Sequence, residues 1–377
     1  MNANKARHYD WIWQYPKWPE FTWEGEQLQP LLRRAYDHLG QLKGKMSSVA
    51  GQQEFTLDAL LTNIVASSAI ENEKVDVNAV RSSLARQLKI DDNRPIKVSA
   101  QSEGLANIMR DAVTAWQQPL TLTTLLQWHS WLFQGQGSLM QKIAPGQLRG
   151  EAPMQIVSGP LLKPRVHFQA PPKEVLEAEL EIFIQWFNES ETGSADPLIR
   201  AAIAHLWFVT IHPFEDGNGR ITRALTDRAL AQSDQNSIRL FAMSEAIFEH
   251  KNSYYEILEH TQKHGTDITR WLLWFVETLT ISVEGALAKI DRTVFKSKFW
   301  AKYSNKSFSE LQRKVLNRLL DGDFKQGINA TQYQRVAKVS KATATRHLSD
   351  LLAQAVLTKL PGGGRSTRYQ IVKSGTA

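Results

Sequence analysis

Along residues 31–110 apolar positions recur at spacings of three and four, as in Leu57, Leu60, Leu61, Ile64 and Val65, the period of helices that bury one face. The same period predicts helices at 120–133, 173–188, 220–232, 244–263 and 268–289. Another is predicted from 197 to about 210, opened by Asp196 as N-cap and Pro197 at the first helical position. The stretch 145–172 is rich in Gly and Pro. Within it 154–158 and 165–168, separated by Gly159, Pro160 and Pro164, read as a short hairpin. At the N-terminus Trp11, Trp13, Trp18 and Trp23 alternate with Pro16 and Pro19. Prolines at that density oppose a helix, so an extended arm that sets its rings into a groove is expected there.

Composition narrows the class. At 377 residues, 42% hydrophobic and 22% charged, the chain has length for two or three globular domains. Its first fifteen residues lack the apolar stretch of a signal peptide, and no obvious uninterrupted apolar run spans a bilayer. A cytoplasmic protein with no membrane partner is therefore expected. There is no cysteine, which excludes disulfides, thiolate catalysis and cysteine zinc sites. The net charge of +7 is uneven: residues 291–377 hold 17 Lys and Arg against 5 Asp and Glu, and the first 290 hold 28 against 33. A basic module of that kind suits a polyanion, DNA included.

The chemistry concentrates in one connection between two predicted helices, residues 211–223. Gly217 and Gly219 permit the positive φ angles that converge backbone N–H groups on an anion, and the helix that follows points its positive end at the same spot. Arg220 and Arg223, three residues apart, share a side of that helix and can neutralise more distal phosphates. Asp216 can complete the shell of a Mg²⁺ whose other partners are phosphate oxygens and water. His212 supplies a proton acceptor that works near neutral pH. An ordinary helix-to-helix turn explains any one of these residues, but not their conjunction.

The segment resembles the Fic family signature His-x-Phe-x-(Asp or Glu)-Gly-Asn-Gly-Arg-x-x-Arg, matched from His212 to Arg223 at every specified position, with a resemblance extending over roughly residues 55–285. That resemblance implies a mostly α fold, a Fic-type helical core with a β-hairpin flap. It implies that AMP passes from ATP to a Ser, Thr or Tyr hydroxyl of a target protein, and to the chain itself. His212 is then the base, Asp216 the Mg²⁺ ligand, and Gly217, Asn218 and Gly219 the anion hole, with Arg220 and Arg223 on the outer phosphates and Phe214 anchoring the loop. Tyr254 and Tyr255 match the tyrosine pair placed near the adenine, and Gln262 is a further candidate for that pocket. Gln155, Ile156, Val157 and Ser158 fall on the flap that aligns the target.

Upstream, Ser67, Glu71 and Asn72 resemble the family's inhibitory motif, in which Ser or Thr is followed four residues later by Glu and then Gly or Asn. Glu71 is thereby expected to occupy Arg223 and keep the resting enzyme slow. In the basic tail, helices are expected at 308–320, 331–339 and 340–352, the last carrying Lys341, Thr343, Thr345 and Arg346. A glycine tip, Gly362 to Gly364, and a basic strand with Arg365, Thr367, Arg368 and Tyr369 follow. This order resembles a winged helix-turn-helix, which either binds DNA or serves docking and dimerisation. The expected layout is residues 1–110 for the arm and the helical region with the inhibitory helix, 111–290 for the catalytic core and 300–377 for the winged helix. Two other readings stand beside the transferase: a nucleotide-sensing, DNA-binding transcriptional regulator, and a hydrolase that removes AMP. A homodimer and a donor other than ATP, such as UTP, stay open.

Overall fold

The protein is seen in a computed structural model that describes residues 9–47, 51–90, 98–135, 143–160, 163–193, 195–234, 239–361 and 367–372. The chain divides into two compact units, Met1–Ala286 and Leu287–Ala377. Helices dominate both, and among the described residues the only sheets are two two-stranded antiparallel ribbons.

In the first unit, helices α1 (Gly25–Ser47), α2 (Gln52–Ile70), α3 (Val77–Gln87), α4 (Ala100–Thr114) and α5 (Leu122–Leu132) precede the hairpin of β1 (Gln155–Ser158) and β2 (Arg165–Gln169). Then come α6 (Lys173–Glu189), α7 (Pro197–Ile211), α8 (Asn218–Asp234), α9 (Met243–Glu249), α10 (Lys251–Thr261) and the first half of α11 (Thr269–Lys302), which continues past Ala286. The axis of the unit is α7. Asp196 caps it by accepting hydrogen bonds from the Leu198 and Ile199 N–H groups, and every residue from Leu198 to Ile211 is buried. A helix apolar on all sides can only sit at the centre of a bundle. Helix α8 packs directly against it. Next to them Phe183 of α6 meets Trp186, Phe187, Trp207 and Phe208 in one aromatic cluster.

One polar ring at the centre of this core is paired on both of its nitrogens. His205, at the middle of α7, has Nδ1 on the Thr226 hydroxyl of α8 (2.8 Å) and Nε2 on the Tyr254 hydroxyl of α10 (2.9 Å). Burial drives its pKa down to about 3, so the ring is neutral and ties three helices together.

Several details depart from the periodicity. The helix expected over 244–263 breaks at His250 into α9 and α10. The helix expected to end near 289 runs on to Lys302, and α1 begins at Gly25, ahead of Pro30. The arm is not wholly extended: Ile12–Gln14 make one 3-10 turn, with Ile12 fully buried. Its tryptophans do find partners, Trp11 edge-on to Phe168, Trp18 edge-on to Trp207, and the Trp13 indole N–H donating to the Gln169 carbonyl at 2.7 Å. Helix α11 is long and apolar enough to cross a membrane by length and composition alone, but Trp271, Leu272, Phe275, Val276, Leu279 and Val283 are buried within the protein.

The second unit has its own core. Helices α12 (Glu310–Leu320), α13 (Ala330–Ala337) and α14 (Lys341–Ala353) precede strands β3 (Leu357–Lys359) and β4 (Tyr369–Ile371), paired as Leu357 with Ile371 and Lys359 with Tyr369. Val315, Leu316, Ile328, Tyr333, Ala344, Leu348, Leu351 and Val356 fill its centre. Ser309 and Gln312, and Asn329 and Gln332, form reciprocal caps that fix where α12 and α13 begin. The glycine tip and Arg365 lie outside the described residues.

The aromatic cluster carries a stability test. Phe183 is fully buried, so Phe183→Ala is expected to cost about 3–5 kcal/mol and to lower the unfolding midpoint of the first unit in chemical denaturation.

Candidate active site

The turn from α7 to α8 is built by its own side chains. His212 closes α7 in the left-handed region (φ 51°, ψ 59°), with its N–H donating to the Phe208 carbonyl at 3.1 Å. A left-handed residue is usually glycine, so the position holds a side chain at some local cost. Asn218, the first residue of α8, clamps the loop: its Oδ1 accepts from the Phe214 N–H (2.9 Å) and its Nδ2 donates to the Phe214 carbonyl (2.7 Å). Phe214 is fully buried and stacks on the His129 ring, centroids 4.2 Å apart. Gly217 takes φ +82°, and the Leu132 side chain fills the space a Cβ would need.

The imidazole of His212 is oriented through one ring nitrogen. Its Nδ1 donates to the Val209 carbonyl at 3.0 Å, which leaves Nε2 with a free lone pair. Burial, and then the nearby Arg149 charge, push its pKa below the ordinary histidine value against the Val209 bond, Glu71 and Asp216, so the ring is neutral at pH 7. Arg149 holds the loop. Its Nε donates to the His212 carbonyl (2.9 Å), its Nη2 to the Pro171 carbonyl (2.5 Å), and its own N–H to the Pro213 carbonyl (3.0 Å). Glu215 returns the contact by accepting from the Gly150 N–H at 2.9 Å.

The two arginines of α8 are engaged by the end of α2. The buried Arg223 donates through Nε to the Ser67 hydroxyl (2.8 Å) and through Nη2 to the Ser67 carbonyl (2.9 Å) and Glu71 Oε1 (2.7 Å). Burial pushes the Glu71 carboxyl up, and the charges of Arg223 and Arg220 more than reverse it, leaving Glu71 ionised below the usual range. Arg220 reaches Glu73 at 2.5 Å and lies over the Phe133 ring at 5.4 Å. Asn72 follows in the left-handed region (φ 60°), where Lys251 donates to its Oδ1 at 3.0 Å. Glu71 lies over the first turn of α8: a Cβ added at Gly219 would fall 2.2 Å from its Oε1. A carboxylate thus fills the position where the helix N-terminus favours an anion.

Asp216 is half exposed, with Oδ1 accepting from the Gly217 N–H and 3.6 Å from Arg220. Among the described residues no three His, Asp or Glu side chains gather into a metal cage. The Asp216 carboxylate offers the hard oxygen donor that cations such as Mg²⁺ take.

Of the remaining expected residues, the tyrosine pair lies beside Glu71 and Arg223, within reach of their charges. Tyr254 is buried on His205, and burial raises its phenol above the ordinary range. Tyr255 is exposed and donates to the Ile70 carbonyl at 3.3 Å. Gln262 is buried, with Nε2 on the Thr210 hydroxyl and its carbonyl accepting from the Ile12 N–H of the arm. All of β1, Gln155 to Ser158, is exposed, and its partner β2 is fastened to α10 through His167 and Arg165, both on Glu259. One expectation is corrected. Gly219 needs no positive φ; it is small because Glu71 approaches its Cα. Glu73, which the sequence does not single out, is the partner of Arg220. Arg149 was missed altogether, and only its position in a Gly- and Pro-rich loop hinted at a pinning role.

Residues 119–230 match the model of the Fic/DOC family. Residues 11–90 match a model described as a domain of unknown function, DUF4172. Among curated relatives, a protein adenylyltransferase, fic-1, of Caenorhabditis briggsae is 45% identical over 62 residues, 16% of this chain and 12% of that protein. The protein adenylyltransferase Fic of Nematostella vectensis is 30% identical over 118 residues, 31% of this chain and 26% of that one. The chain thus spans a small part of the length of these relatives. A Fic family protein of Desulfovibrio desulfuricans superposes with a TM-score of 0.52 at 18% identity, covering 92% of this chain and 98% of its own, which is a likeness of fold.

The electrostatics of the turn can be read directly. His212 is expected to titrate below 6.5 by NMR, and Arg149→Met is expected to raise that midpoint by removing a repelling charge and opening the loop to water. An unchanged midpoint in the variant would separate Arg149 from the imidazole.

Proposed function

We propose that this chain is an autoinhibited protein adenylyltransferase that moves AMP from ATP to a hydroxyl of a target protein and of itself. One observation carries the reading: a neutral His212 stands beside a helix N-terminus whose anion position holds the Glu71 carboxylate, clamped by Arg223. In transfer, His212 Nε2 takes the proton of the target hydroxyl, whose oxygen bonds to the α-phosphorus. The bond between the α- and β-phosphates breaks and pyrophosphate leaves. The N–H groups at Gly217, Asn218 and Gly219 and the guanidinium groups of Arg220 and Arg223 hold the phosphates, once Glu73 and Glu71 have released the arginines. Asp216 would hold a Mg²⁺ that arrives with ATP, and the ion would supply neutralisation of phosphate charge. The exposed strand β1 offers its edge to an extended target segment, with Tyr255 at the side of the nucleotide.

For the second unit we propose DNA binding. Exposed Lys341, Thr345 and Arg346 line one face of α14 at the end of a helix-turn-helix, in a tail of strong positive charge. Arg368 is partly committed, donating to the Gly327 carbonyl at 2.9 Å.

Activity is tested by incorporation of labelled AMP. Glu71→Gly is expected to raise it by about tenfold or more, and His212→Ala in that background to abolish it while ATP still binds. Glu71→Gly with Arg223→Ala is expected to fall back towards the background, because the freed arginine no longer exists. Unchanged incorporation in Glu71→Gly, with His212 and Mg²⁺ present, would refute the inhibitory role. For the tail, duplex DNA is expected to bind the full chain with an affinity that falls steeply with salt, and Lys341→Ala with Arg346→Ala to flatten that slope. No binding at low salt would assign this face to protein docking.

A further inference from the structure

The contacts of Ser67 and Glu71 are the last two rungs of a longer ladder. Asn63, Ser67 and Glu71 follow one another at four-residue intervals on α2, so they share one face. Opposite them on α8 stand Asp227, Arg223 and Gly219 at the same interval in reverse order. The rungs are Glu71 over Gly219, Ser67 on Arg223, and Asn63 Nδ2 donating to Asp227 Oδ2 at 2.5 Å. Asn63 Oδ1 in turn accepts from the Ser244 N–H at 2.8 Å, at the start of α9. The Asn63 side chain thus joins α2 to α8 and α9 at once, two helical turns from Glu71.

The first rung is sealed. Asn63 and Asp227 are both almost wholly buried, and burial lifts the Asp227 carboxyl to about 6 against the pull of Arg239 and the Asn63 bond. A buried carboxylate and amide that satisfy each other are hard to separate, because each would be left unpaired without water. Beside the ladder lies a small pocket that Asn63, Ser67, Arg223 and Asp227 share with the apolar Ile64 and Leu105. Apolar contacts of that kind can slide, and the polar rungs fix the register of α2.

We infer that Asn63 and Asp227 are positioning residues of the repressed state, a latch remote from the nucleotide that sets where Ser67 and Glu71 lie on Arg223 and Gly219. The inference rests on the autoinhibited reading above. Neither residue touches the α7–α8 turn, so loosening the latch releases Glu71 and leaves the phosphate-binding groups intact. A signal that pulls on α2 or α9 has in this latch a lever that does not compete with ATP.

Two readouts on the full-length protein test it. In Asn63→Leu, amide hydrogen exchange across residues 64–72 is expected to speed up, and incorporation of labelled AMP to rise by about tenfold. The exchanged pair Asn63→Asp with Asp227→Asn rebuilds the bond with donor and acceptor reversed, and is expected to restore both slow exchange and repression. In Asn63→Leu with Glu71→Gly no further gain over Glu71→Gly is expected, since both changes remove one contact. Unchanged exchange in Asn63→Leu overturns the latch, whatever the activity does. Faster exchange with incorporation still repressed, where Glu71→Gly is active, also overturns it and leaves autoinhibition standing. A Glu71→Gly protein that is no more active than the parent ends the autoinhibited reading and the regulatory role of the latch with it. Should Asn63→Leu fail to fold, Asn63→Ser withdraws the amide with a smaller change and is read in the same way.

Discussion

A buried guanidinium has to be paired, and the organisation of the first unit follows from where Arg223 finds its partners. Arg223 is almost wholly inside the protein, and three of its hydrogen bonds go to two residues of α2, the Ser67 hydroxyl and carbonyl and the Glu71 carboxylate. Leaving such a charge unpaired in the interior is expensive, so the end of α2 is held where it is by the need of α8 rather than by its own propensity. Among the described residues its Nη1 has no hydrogen-bond partner, which keeps one donor directed at the first turn of α8. The turn itself is held from elsewhere, by Asn218 from within and by Arg149 from the loop before the hairpin. The loop and the helix that covers it therefore rest on separate supports. One can move without dismantling the other.

Much of this was legible because it is local. Asp196 and Pro197 announce α7, and the run from His212 to Arg223 places a base, a turn and two arginines within twelve residues, so spacing alone brings them together. The helices of the tail were legible for the same reason, their reciprocal caps being written within four residues each. What escaped is long-range. Arg149 meets the His212 carbonyl across 63 residues of chain, from a segment without periodicity, and Glu73 meets Arg220 across 147. Gln262 shows the same dependence on packing: two helical turns beyond the tyrosine pair it follows Thr261, the last residue of α10, and its side chain donates to the Thr210 hydroxyl of α7. Helical spacing fixes which face a residue shares, and only packing decides what that face meets.

The small residue at Gly219 carries the same lesson at closer range. From sequence, two glycines in one turn imply two positive φ angles, and only Gly217 has one. Gly219 is already in the first turn of α8, where an ordinary residue is comfortable, and it is small because the Glu71 carboxylate approaches its Cα. Removing a Cβ exposes the backbone of a helix N-terminus to whatever anion comes near, and in this state the anion is supplied by the chain itself.

That coincidence of position has a thermodynamic consequence on the autoinhibited reading. A phosphate and the Glu71 carboxylate cannot share the space over Gly219 and the same guanidinium nitrogen of Arg223, so each binding event opposes the other. By linkage the factor by which a docked α2 weakens productive nucleotide binding equals the factor by which the nucleotide weakens the docking of α2. The apparent affinity for a correctly seated nucleotide is then the intrinsic affinity scaled by the fraction of molecules in which Glu71 has left. Repression of this kind needs no closed lid and no separate inhibitor. It needs a carboxylate that matches one phosphate oxygen in charge and reach, carried on a helix whose docking free energy is set elsewhere along its length. The groups that set it are those whose contacts do not change when the nucleotide enters, which places control of the reaction on the far end of α2 rather than at the site of chemistry.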